Sequence, residues 1–135
     1  LGLAQIERID EIVARKRWMG QAYTDRLSEV EGLELQVQHA WARGVYWMYG
    51  LVVREETGLD APELARRLSR RGIETRPFFL GMHEQPVLRE RGLFGGETYP
   101  VAERLARQGL YLPSGLGLQE SQIDTICQAV REALV

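Results

Sequence analysis

Apolar positions recur along this chain with two different periods, and the changes of period mark out its elements. From residue 3 to about residue 28, Ile6, Ile9, Val13, Met19, Tyr23 and Leu27 return at three- to six-residue intervals. Glu7, Arg8, Asp10, Glu11, Arg15, Lys16 and Arg17 fill most of the remaining positions in the first half. The pattern predicts one amphipathic helix, with Gly32 as a stop signal. Leu33, Leu35 and Val37 then alternate with Glu34 and Gln36, as in a short half-buried strand. Residues 46–53 are almost continuously apolar and rich in aromatic and β-branched side chains, which predicts a central strand.

The second half is more heavily punctuated. Asp60 and Glu63 have capping-box spacing, Pro62 sits in the first turn, and Leu64, Ala65 and Leu68 make one buried stripe, so a helix is predicted over 60–71 with Gly72 at its end. Pro77 keeps Arg76 out of the helical region, leaving 73–76 extended. Residues 78–96 show little periodicity and contain Gly81, Pro86, Gly92, Gly95 and Gly96; a loop of that length in a compact domain tends to serve a function. A helix over 99–108, a strand over 110–112 and a last helix marked by Ile123, Ile126, Cys127, Val130 and Leu134 complete the chain. The order fits a single α+β domain over 1–135, with a small, mostly antiparallel sheet and helices packed on one face. So small a sheet cannot cover the stripes of both the first and the last helix, so an exposed apolar patch is expected.

Composition narrows the chemistry. The chain has 135 residues, 44% apolar and 27% charged, with a formal net charge of -2. That is a globular balance and not that of a strongly basic nucleic-acid binder. No apolar run of about 18 residues is present to cross a membrane as a helix. No signal peptide is visible. One cysteine, Cys127, excludes an internal disulfide, and its place on a helical stripe reads as an inert core thiol. No HExxH or CxxC spacing offers a metal site, and Ser114 and Ser121 have no neighbouring base. Lys16 is the only lysine, so lysine chemistry has one candidate. The sequence opens on Leu1 with a helical pattern under way by Leu3, which reads as a piece of a longer protein.

The sharpest chemistry lies in residues 74–86. Arg76 leaves an extended segment into a loop that holds Phe78, Phe79 and His83. A guanidinium there suits bidentate contact with a phosphate or carboxylate, the aromatics suit an apolar wall, and the imidazole suits a substrate hydroxyl. The same residues also read as core aromatics, a surface ion pair of Arg76 and an ordinary loop histidine. Residues 46–49 read either as pocket aromatics or as strand packing. Arg66, Arg67, Arg70 and Arg71 read as a phosphate-contacting face or a solvated one. The glycines at 115 and 117 lack the third glycine of a dinucleotide loop and read as a turn.

Four stretches, in order, carry a family resemblance: Gly72-Ile73-Glu74-Thr75-Arg76-Pro77-Phe78-Phe79, Met82-His83-Glu84-Gln85-Pro86, Tyr99-Pro100-Val101-Ala102-Glu103 and Gly109-Leu110-Tyr111-Leu112-Pro113-Ser114-Gly115. Together with Ile6-Glu7-Arg8-Ile9-Asp10 and Arg15-Lys16-Arg17 they resemble the C-terminal part of DegT-type sugar aminotransferases, above all the members that make GDP-perosamine. The resemblance implies a fold-type-I, cytoplasmic homodimer that uses pyridoxal phosphate (PLP) to move an amino group, usually from glutamate, to a keto-sugar nucleotide such as GDP-4-keto-6-deoxymannose. It makes residues 1–135 the small domain and 1–28 the interdomain helix. The Schiff-base lysine would belong to a missing N-terminal PLP-binding domain, so this chain alone is expected to be inactive and to bind no PLP. Carried over, Arg76 becomes an anion or hydroxyl contact, Phe78 and Phe79 cleft walls, and His83 a polar contact to the sugar, with no nucleic acid or membrane partner. Gln119 departs from the Thr or Ser that often caps the last helix in this family. The alternatives are a non-catalytic module of the same fold, used for sensing or dimerisation, and an unrelated α+β interaction domain.

Overall fold

Four strands form one sheet: β1 (Leu33–Leu35), β2 (Tyr49–Val53), β3 (Arg76–Pro77) and β4 (Gly109–Leu112). Their order is β1-β2-β4-β3 and every neighbouring pair is antiparallel. The structure, a computed structural model, describes residues 2–135. Its helices are α1 (Gly2–Ile6), α2 (Ile9–Leu27), α3 (Ala61–Ser69), α4 (Pro86–Glu90), α5 (Pro100–Gln108) and α6 (Glu120–Ala133), with short 3₁₀ turns at Glu55–Thr57 and Met82–Glu84.

The period-2 alternation of the strands sorts the sheet into two faces. Leu33, Tyr49, Leu51, Val53, Leu110 and Leu112 join one core with Met19, Tyr23 and Leu27 of α2, Leu64 and Leu68 of α3, and Ile123, Ile126 and Val130 of α6. Gly50, Val52, Gly109 and Tyr111 alternate with these and belong to the outer face. Helix α5 is the exception to the one-sided layer, because its Arg104 pairs at 3.1 Å with Glu34, an outer-face residue of β1. Helix α3 starts as its sequence predicts: the Asp60 carboxylate accepts the Glu63 N–H at 2.8 Å. Its arginines are not merely solvated. Arg67 donates to the Ala133 carbonyl at 2.6 Å and Arg71 pairs with Glu132, tying α3 to α6. At the start of α6 the Gln119 N–H donates to Gln122 Oε1 at 2.9 Å, so a glutamine side chain supplies part of the cap.

Three expectations change. The single helix over 3–28 is two helices with a turn at Glu7 and Arg8, and burial along α2 begins only at Met19. Ile6 and Ile9 are exposed, since this end has no apolar partner and periodicity without a partner does not bury a side chain. The strand over 46–53 starts at Tyr49, because Tyr46 adopts φ 49° and lays its ring on Gly20 of α2, where a Cβ would overlap it. The expected exposed apolar surface is found on the first helices: the stripe of α6 is buried (Ile123, Ile126, Cys127, Val130), whereas Leu3 and Ile6 stand open, as do Trp41 and Trp47 before β2. Residues 78–96 are also partly ordered, holding the Met82–Glu84 turn and α4.

Two outer-face glycines make a slot. A Cβ on Gly50 would stand 2.8 Å from Phe78 Cζ, and one on Gly109 would overlap the same ring and meet the Leu105 carbonyl oxygen at 2.5 Å. Phe78 lies across both strands because neither position has a side chain. Gly109→Ala should therefore cost roughly 1–3 kcal/mol of overpacking. Urea denaturation checks it, and a loss below about 0.5 kcal/mol would show that the ring moves aside freely.

Candidate functional site

Arg76 ends on the sheet edge opposite Tyr111, its register partner on β4. Pro77 follows it, tolerated because an edge strand does not need every N–H. The guanidinium is exposed and, among the described residues, forms no ion pair; Glu84 of the loop that follows pairs instead with Arg107 at 2.9 Å. A cavity of about 320 Å³ opens here, lined by Glu74, Arg76, Tyr111, Ser114 and Met48 among others. A neighbouring one of about 460 Å³ is lined by Gln36, Gln38 and Trp47 and shares Met48 and Tyr111. The two form one depression on the side of the sheet that α2, α3 and α6 leave bare, with Tyr111 in its middle.

Of the four residues singled out by sequence, two open to solvent and two do not. Phe79 is 73% exposed, with its ring 6.3 Å from that of Tyr111. Phe78 is half-buried in the glycine slot, 4.5 Å from Tyr111, and so anchors the loop more than it walls a cleft. His83 is 5% exposed, and its Nε2 lies 3.2 Å from Glu103 Oε1. Neither Phe78 nor Phe79 lines the Arg76 cavity directly. Tyr111 is the residue that sequence reasoning missed. Its signal was present: an aromatic between two inward leucines on a strand must face outward.

Helix α2 sets the walls of this depression with its polar side chains. Lys16 Nζ donates to the Trp47 carbonyl at 3.0 Å and to the Ser114 carbonyl. Arg15 donates to the Leu116 carbonyl at 3.2 Å and to that of Leu118, Arg17 to Gly44 at 3.1 Å, and the Tyr23 hydroxyl to Pro113 at 2.9 Å. Ser114 Oγ accepts the Tyr49 N–H at 2.9 Å and donates to the Leu112 carbonyl at 2.7 Å. The aromatics at 46–49 thus divide: Tyr49 is core, stacked on Tyr23 at 4.8 Å, whereas Trp47 lines the depression.

These contacts bear on cofactor chemistry. PLP needs a lysine amine to form an imine. The only one here is spent on two backbone carbonyls, although burial lowers its pKa from the usual lysine range. The residues present therefore do not fit a Schiff-base site. Burial pushes the Cys127 thiol up to about 11, which leaves it unreactive. Among the described residues no group of three His, Cys, Asp or Glu side chains is placed to hold a metal.

Glu103 has the clearest perturbed carboxyl near the loop. The Tyr99 N–H, donated at 2.8 Å, lowers its pKa first, followed by His83 and Arg107. A depressed carboxylate contributes stability that is present above its unfolded value and lost as pH falls through the folded one. Unfolding stability should therefore drop as pH falls below about 4.5, and Glu103→Gln should flatten that acid limb. Urea titrations between about pH 6 and pH 3 decide it; parallel limbs in both proteins would exclude the linkage.

Comparison with known proteins gives a consistent result. A model of the DegT/DnrJ/EryC1/StrS aminotransferase family matches residues 1–131. The chain is 30% identical over 132 residues to a GDP-perosamine synthase of Escherichia coli O157:H7, covering 98% of this chain and 34% of that protein. It is 33% identical over 138 residues to the GDP-perosamine synthase of Caulobacter vibrioides, covering 100% of this chain and 36% of the relative. Among solved structures, the aminotransferase TlmJ from Streptoalloteichus hindustanus superposes with a TM-score of 0.82 at 30% identity, over 98% of this chain and 34% of that one. The chain spans about a third of the length of the curated relatives it matches.

Proposed function

We propose that this chain, which belongs to the DegT/DnrJ/EryC1/StrS aminotransferase family, is the small, substrate-facing domain of a PLP-dependent nucleotide-sugar aminotransferase. The observation that carries the reading is Arg76. It is an exposed arginine with no ion pair among the described residues, standing beside Tyr111 on the sheet face left bare by the main helices. A planar fork of donors on an extended, proline-fixed stem suits two parallel hydrogen bonds to a diphosphate or sugar oxygen. Phe79 supplies an apolar contact from the adjacent loop, while Phe78 and His83 hold that loop at its ends. In this reading the substrate is a keto-sugar on a nucleotide diphosphate, such as GDP-4-keto-6-deoxymannose, and the amino donor is glutamate. The cofactor and its lysine sit in an N-terminal domain beyond this chain, and a second subunit completes the cleft.

Two measurements test it. PLP added to the chain alone should give no stable internal-aldimine absorbance; a band abolished by Lys16→Ala would contradict the assignment of cofactor binding to another domain. In the full-length protein, Arg76→Lys should lower kcat/KM by roughly tenfold to a hundredfold, the equivalent of a lost charge-assisted bond of about 1.5–3 kcal/mol. Its Tm should barely move, because no ion pair is broken. Unchanged kcat/KM with a lowered Tm would sink the substrate-contact role.

A further inference from the structure

The loop after β3 shows apolar side chains to solvent: Phe79 is 73% exposed, Leu80 43% and Met82 64%. An apolar tip of this kind keeps one shape only if both its ends are fixed. Phe78 fixes the first end in the slot of Gly50 and Gly109. His83 fixes the second, and it is the one buried polar or charged residue among those described. Its Nε2 lies 3.2 Å from Glu103 Oε1, the oxygen that also accepts the Tyr99 N–H at the start of α5. A carboxylate only accepts hydrogen bonds, so the His83 proton sits on Nε2. The ring also lies against Tyr99, with centroids 4.8 Å apart, and the His83 carbonyl accepts from Arg89 of the next helix at 2.9 Å. The neighbouring Glu84 is held by Arg107, one turn beyond Glu103 on α5. Its Oε2 is buried without a hydrogen-bond partner, 4.0 Å from His83 Nε2. Helix α5 thus grips two consecutive residues of the turn with two of its own side chains, one turn apart.

We propose that Glu103 is a positioning residue: through His83 it locks the loop carrying Phe79, Leu80 and Met82, so that this apolar tip meets the sugar end of the substrate in a fixed place beside Arg76. The meeting with sugar rests on the function proposed above; the lock itself does not. Glu103 touches no substrate. It acts by denying the loop its alternative conformations, so its effect belongs in substrate binding and not in the chemical step.

The test uses the full-length protein and three variants. His83→Phe keeps the ring and removes the donor while leaving the α5 cap intact. Glu103→Ala removes lock and cap together, and Glu103→Gln keeps an acceptor oxygen at the same place. Hydrogen exchange is followed at the Glu84 and Gln85 amides, which close the Met82–Glu84 turn at 2.9 and 3.2 Å. Their exchange should speed up at least about tenfold in His83→Phe and Glu103→Ala, and return to within about twofold of the original in Glu103→Gln. The Glu103 amide, bonded to the Tyr99 carbonyl at 2.9 Å, should loosen in Glu103→Ala alone. KM for the nucleotide sugar should rise about tenfold in His83→Phe with kcat within about twofold. Unchanged exchange at Glu84 and Gln85 in His83→Phe would overturn the lock, and a loosened turn with unchanged KM would overturn its role in positioning. A full-length protein without aminotransferase activity would refute the proposed function, and the exchange rates would then decide the lock by themselves.

Discussion

The site depends on one constraint: the loops that flank the central strands must have their backbone carbonyls satisfied. The segment before β2 and the segment after β4 both turn away from the sheet, so the ladder no longer supplies their partners. Helix α2 supplies them. Arg15, Lys16, Arg17 and Tyr23 place donors on the carbonyls of Leu116, Leu118, Trp47, Ser114, Gly44 and Pro113. A helix that merely covered the core would leave these loops free. This one sets the spacing between Trp47, Met48 and Ser114, and hence the shape of the depression beside Arg76.

The outer face of the sheet is built by omission. Gly50 and Gly109 lack the side chains that would cover it, and Phe78 folds back into the space. The ring therefore serves the loop and the sheet at once. Placing Phe78 inward leaves Phe79 outward, since successive side chains of an extended chain point in opposite directions. Tyr111 is left between two cavities, in contact with both aromatics and in register with Arg76.

Some of the charge joins helices. Arg26 of α2 pairs with Glu120 and Asp124 of α6, and Arg71 pairs with Glu132. Exposed pairs of this kind contribute little each, about 0–1 kcal/mol, and serve to fix the helices' relative register. Arg76 makes no such pair among the described residues; it stands on the sheet edge in register with Tyr111 and lines the depression. Its place on the sheet edge, beside an open cavity, is what separates the site from the scaffold.

The alternation of Leu33, Leu35, Leu51, Val53, Leu110 and Leu112, the Asp60 cap and the glycines that end helices were enough to read the elements and their α+β class from sequence. Those signals are local: they act over one turn or one strand. The family was legible too, because its motifs follow one another along the chain. What sequence could not decide were the partners of side chains distant in the chain. Lys16 and Ser114, Tyr46 and Gly20, Phe78 and the two glycines, and His83 and Glu103 meet only once the sheet is assembled. A histidine in a polar loop reads as a ligand-seeking group until an element twenty residues on presents a carboxylate to it. Two helical stripes compete for one small sheet, and only the assembled fold decides that α6 is covered and the first turns of the chain are not. Periodicity records which face a residue takes within its own element; burial and pairing are properties of what another element brings to that face.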